Sequence, residues 1–173
     1  AAAPSPVRVR RSGMVDSHDE MMLRALDLAA AARARGDHPF GALLVLDGEV
    51  IETARNRVVS DGDLTAHAEL TLVRKLERSG QLELLAGGVV YTSCEPCPMC
   101  VGALFWAGAR HVAYALSHQR LNDLAAPAGE PMVGFQIGAA EIGSSARPSM
   151  LFVGPEREDE ASTSHVGFWT QKA

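Results

Sequence analysis

Apolar residues in this chain come either at helical spacing or in short runs, and the two patterns alternate along the sequence. The first helical pattern is Met22, Leu23, Leu26, Leu28 and Ala29. It follows Ser17-His18-Asp19-Glu20, which fits a capping box: Ser17 serves the early helix N–H groups and Glu20 reaches back. Gly36 supplies the stop. Gly41-Ala42-Leu43-Leu44-Val45-Leu46 and Glu49-Val50-Ile51-Glu52-Thr53 flank Asp47-Gly48, and Asp-Gly between two such runs predicts a hairpin. Residues 56–66 read as an irregular loop. A helix is expected over 67–79, with Leu70, Leu72, Val73 and Leu76 on its buried side and Gly80 at its end.

The second half repeats the alternation. Gly88-Val89-Val90-Tyr91-Thr92 is a short buried strand, and a helix starts close to Pro98 and runs through Val101, Leu104, Phe105 and Trp106. Arg110-His111-Val112-Ala113-Tyr114-Ala115 is another strand, whereas residues 116–146, rich in Gly, Ala, Ser and Pro, yield no assignment. Ser149-Met150-Leu151-Phe152-Val153 is the last strand, followed by a helix from about 156 to 170. A hairpin followed by helix–strand units predicts an α/β fold, a mixed sheet with helices on both faces.

No internal repeat and no linker divides the 173 residues, so a single domain is expected over 14–173. Residues 1–13 hold Pro4, Pro6, Arg8, Arg10 and Arg11 and lack the apolar stretch of a secretory signal. They are read as a disordered N-terminal extension or a cloning remnant. No apolar run approaches the length needed to span a bilayer. Net charge is −5, the one basic cluster lies in that extension, and residues 156–160 form an acidic run. A polynucleotide partner leaves a basic stripe on the folded surface, so a small neutral substrate is expected and nucleic acid is not.

All three cysteines, Cys94, Cys97 and Cys100, fall within one short stretch, which fits a reduced, cytoplasmic metal site better than a disulfide scaffold. Thr65-Ala66-His67-Ala68-Glu69 precedes that stretch by about thirty residues. One imidazole and two thiolates give Zn2+ three ligands and leave the fourth tetrahedral position to a water. Cys97 and Cys100, three apart at a helix start, share one face, and the helix N-terminus favours their thiolates. Glu69 is placed to carry protons to and from the water, as the catalytic residue. His67 and Glu69 would point to nearly opposite sides of a regular helix, so His67 must sit at its irregular entry turn. An iron–sulfur cluster would need a fourth cysteine, and a redox pair would need no upstream His-x-Glu. A structural zinc site closed by Cys94 as fourth ligand would leave Glu69 without a task. The other histidines carry no such support and read as surface or packing residues.

With these residues the chain resembles the cytidine deaminase-like superfamily, and within it the guanine deaminases most closely, over about 38–115. The likeness rests on His38-Pro39-Phe40-Gly41-Ala42, Asn56, the His67-Ala68-Glu69 motif, Thr92-Ser93-Cys94-Glu95-Pro96-Cys97-Pro98-Met99-Cys100 and Gly102-Ala103-Leu104-Phe105-Trp106-Ala107. It implies a three-layer α/β/α sandwich around a central mixed five-stranded sheet, a homodimer, one zinc per subunit held by His67, Cys97 and Cys100, and hydrolytic deamination of a nucleobase or nucleoside, guanine to xanthine first. Candidate substrate contacts are Asn56, Phe40, Ala68, Trp106, Phe168 and Trp169. Asn56 also has a lesser reading as a turn-stabilising amide, Trp106 is most simply core, and Phe168-Trp169 either closes the pocket, in its own subunit or exchanged with a partner, or packs a terminal helix on the sheet. Guanine deaminases carry a second proton-carrying carboxylate after the strand matching 110–115. This chain reads Leu116-Ser117-His118-Gln119-Arg120 there, so Asp123 or Glu141 is the substitute, or the base differs. The alternatives are deamination of cytosine, adenine or a modified purine, deamination of tRNA adenosine, and a zinc-stabilised binding module without catalysis.

Overall fold

The computed structural model describes residues 14–126 and 134–169, with side chains from His18 onward. Residues 1–13 lie outside that range. Five strands, β1 (Gly41–Leu46), β2 (Glu49–Arg55), β3 (Val89–Cys94), β4 (His111–Leu116) and β5 (Leu151–Val153), form one sheet in the order β2-β1-β3-β4-β5. β1 pairs antiparallel with β2 and β3, while β3–β4 and β4–β5 are parallel, so the sheet is mixed as expected. The hairpin turns at Asp47-Gly48, both with positive φ (53° and 85°), the backbone that Asp-Gly tolerates and that matches strand twist.

Alternation along the strands sorts two cores. Ala42, Leu44, Val90 and Val112 point to one face and pack with Leu72 and Leu76 of α3 (Ala68–Arg78) and Val101 and Leu104 of α4 (Pro98–Trp106). Leu43, Val45, Tyr91, Ala113 and Ala115 point to the other face and meet Met21, Met22 and Ala25 of α1 (Met14–Ala34). The result is three layers, α/β/α.

α1 begins at Met14, so Ser17 lies within the helix and the expected capping box is not its start. The helix ends at Ala34, and Gly36, whose φ is 85°, turns the chain just beyond it. The loop 56–66 contains a single turn of helix, α2 (Val58–Asp61), whose Val59 and Ser60 N–H groups donate to the buried Asp37 carboxylate at 3.0 and 2.8 Å. The helix expected over 156–170 is cut to α7 (Glu158–Ser162). Its continuation is blocked because Arg33 Nη1 takes the carbonyls of Ser164 and Val166 at 2.8 and 2.9 Å, and Gly167 adopts φ 69°. Carbonyls bound to a guanidinium are lost to the helical ladder. Within 116–146 the structure has α5 (His118–Ala125) and α6 (Ala139–Ser145), elements that the apolar pattern did not predict.

Gly41 explains part of the His38–Ala42 motif. A Cβ there would stand 2.5 Å from the Ala25 carbonyl oxygen and 2.8 Å from the Ala29 nitrogen, so the missing side chain is what lets α1 lie against β1. Gly41→Ala is expected to lower stability by about 2 kcal/mol or more, because backbone atoms cannot step aside cheaply. Chemical denaturation that leaves the midpoint unmoved would contradict this packing argument.

Candidate metal centre and pocket

The parallel pair β3–β4 ends at Cys94 and Leu116, and the functional side chains gather beyond those carboxyl ends. His67 is the N-cap of α3, with φ −63° and ψ 158°, and Cys97 is the N-cap of α4, with φ −69° and ψ 164°. Both ligand residues therefore have extended backbone immediately before a helix. That is the entry-turn position His67 needed, and it turns two helix N-termini toward one point. Pro98 stands at the first position of α4, where its missing N–H costs nothing, and Cys100 follows within the first turn.

The donor atoms converge. His67 Nδ1 lies 3.7 Å from Cys97 Sγ and 3.5 Å from Cys100 Sγ, and the three donors fall within 4.8 Å of one another. A tetrahedral zinc with bonds of about 2.3 Å to sulfur and about 2.05 Å to nitrogen puts N and S about 3.6 Å apart. The donor set therefore fits zinc without rearrangement. Cys94, buried at the end of β3, is not in the set, which stays at three protein ligands among the described residues.

The titrations follow from these contacts. Hydrogen bonding from Cys100, helped by His67, lowers the Cys97 thiol to about 4. The same pairing, with burial, pushes Cys100 up: two thiolates this close need a cation between them. His67 is raised by its contact with Cys97. Glu69, only 7 % exposed, is raised by burial, as suits a carboxyl that both accepts and returns protons. Burial pushes the Cys94 thiol up.

A cavity of about 400 Å³ opens onto this centre, lined by His67, Glu69 and Cys97 together with Phe40, Trp169 and residues of α5. Of the expected substrate contacts, Phe40 and Trp169 reach it. Phe168 stands edge-on to Trp169 and His38, one layer back. Ala68 is buried in the core behind the centre. Asn56 is wholly buried: its N–H donates to Phe40 O at 3.0 Å and its Oδ1 accepts from Val58 N at 3.0 Å, the turn-stabilising role. Its Nδ2 has no hydrogen-bond partner among the described residues. Trp106 does not wall the cavity: at the end of α4 it is 85 % exposed and stands edge-on to Phe105. Asp123 and Glu141 are exposed and outside the cavity, Asp123 accepting from Gln119 instead, so neither sits where a second proton carrier would.

Several lining residues escaped the sequence reading: His38, Glu95, His118, Leu121 and Ala125. One signal for α5 was available in Ser117, whose Oγ caps the helix by accepting from Arg120 N at 3.1 Å, ahead of Leu121 and Leu124. α6 has no comparable signal, since its N-cap is Gly138 and its Gly143 is required by the Phe152 ring.

Comparison with known proteins agrees with this geometry. Residues 15–116 match the family model for the cytidine and deoxycytidylate deaminase zinc-binding region, and the chain belongs to that family of zinc-dependent deaminases. A probable cytosine deaminase of Schizosaccharomyces pombe is 40% identical over 149 residues, 84% of this chain and 88% of that protein. The guanine deaminase of Bacillus subtilis is 43% identical over 103 residues, 59% of this chain and 66% of that protein. A structure from studies of A-to-I editing by tRNA:A34 deaminases superposes with a TM-score of 0.64 and 33% identity, covering 84% of this chain and 99% of that one.

Proposed function

We propose that this chain hydrolytically deaminates a small free nucleobase, exchanging an exocyclic amine for oxygen with water consumed and ammonia released. The observation that carries the reading is the buried Glu69 carboxyl on the wall of the same cavity as the His67–Cys97–Cys100 donor set. Bound to these donors, zinc supplies the Lewis acidity that makes water a nucleophile near neutral pH. Glu69 would take one proton from the water and pass it to a ring nitrogen, then take the second from the hydroxyl now on the ring carbon and give it to the amine, which departs as ammonia. Phe40 and Trp169 supply flat apolar walls for a planar ring. Three unbridged thiols fit a cytoplasmic setting. A homodimer belongs to this reading, with the exposed Trp106 available to a second subunit. Trp169 lines the cavity of its own chain.

Guanine is the first base to test, on the strength of the motif between Thr92 and Ala107. Cytosine is the second reading, favoured because neither Asp123 nor Glu141 reaches the cavity and because a probable cytosine deaminase is 40% identical over 88% of its own length. The discriminating experiment is ammonia release from guanine, cytosine, adenine and their nucleosides, with and without chelator. One base is expected to dominate, and chelator is expected to abolish its turnover. Activity confined to tRNA, with salt-sensitive binding, would replace the free-base reading.

A further inference from the structure

Most polar side chains on the cavity wall are already committed. His67, Glu69 and Cys97 belong to the metal centre. Glu95 also lines the cavity, yet its Oε2 accepts the backbone N–H of His118 at 2.9 Å and its Oε1 that of Ala139 at 2.8 Å. One carboxylate thus ties the start of α5 and the start of α6 to the loop between Cys94 and Cys97. The His38 ring packs on Phe168 and Trp169, with centroids 6.0 and 5.4 Å away. Phe40, Leu121, Ala125 and Trp169 are apolar. His118 also lines the cavity, and its side chain makes no hydrogen bond among the described residues.

We infer that His118 reads a polar edge of the base, and that Glu95 is the positioning residue that holds it in place; this rests on the deaminase reading above. A base in a mostly apolar cavity gives up water at its ring nitrogens and carbonyl, and each group left without a protein partner costs affinity. A neutral imidazole offers one donor and one acceptor, which suits a base whose unreacted edge alternates the two. The backbone that carries it is held from two sides. Glu95 binds His118 N, and Glu158 Oε1 accepts Ser117 N at 3.0 Å, fixing the residue before it.

The test uses the full zinc-loaded chain and the panel of bases and nucleosides named above. His118→Ala is expected to lower kcat/KM for the preferred base about tenfold, mostly through KM, and to shrink its preference over the others, with zinc content unchanged. His118→Asn, which restores a donor and an acceptor, should recover part of that preference. Glu95→Gln should shift the preference in the same direction as His118→Ala, since an amide cannot accept at both oxygens' positions; the His118 variants carry the test alone where it does not fold. Preference ratios unchanged in His118→Ala, or an equal loss across the panel, overturn the inference and leave the deaminase reading standing. No ammonia from the parent chain with any member overturns the reading itself, and the inference with it.

Discussion

Glu69→Ala is expected to bind zinc as the parent does and to release ammonia about a thousandfold more slowly. The carboxyl is outside the three-donor set, so its removal leaves the metal in place. It sits in the first turn of α3 beside Ala68, where alanine is a good helix former and introduces no strain. Burial raises the Glu69 carboxyl above its ordinary value. What disappears is the proton carrier, and positioned general acid–base groups contribute roughly 10² to 10⁴ in rate. Metal analysis paired with initial rates gives the answer. A zinc-loaded Glu69→Ala protein with parental turnover would show that another group moves the protons.

Cys100→Ser should have the largest effect on stability. Cys100 is fully buried between α3 and α4, and zinc held there ties the two helix N-termini together. Binding to the folded chain alone adds about 4 kcal/mol when free zinc exceeds its dissociation constant a thousandfold. With one thiolate gone the variant is expected to lose metal, and its unfolding curve with added zinc should superpose on that of the chelator-treated parent. A variant that still gains stability from zinc as the parent does would remove Cys100 from the donor set.

The metal centre was readable in the sequence because its geometry is local. His67-Ala68-Glu69 and Cys97-Pro98-Met99-Cys100 each bring their own helix start, so spacing alone predicted which atoms face inward. The sheet was readable for the same reason: runs such as 41–46 and 88–92 are apolar on both faces because both faces are covered. The cavity wall was not. His118 lines the cavity from a helix start whose N–H is held by Glu95, 23 residues earlier, and such a long-range bond leaves no periodic trace. The missing C-terminal helix is similar: residues 163–167 could have continued it, but Arg33 on α1 takes the carbonyls of Thr163, Ser164 and Val166. Trp106 was misplaced because an apolar residue on an apolar helix carries no label for which side it faces.

The chain's two tryptophans sit in opposite settings: Trp169 forms part of the cavity wall, and Trp106 stands in solvent on the far end of α4. A Trp106→Phe background would therefore leave one indole fluorophore, already in contact with whatever enters. Occupancy could then be titrated optically, without turnover, label or coupled assay.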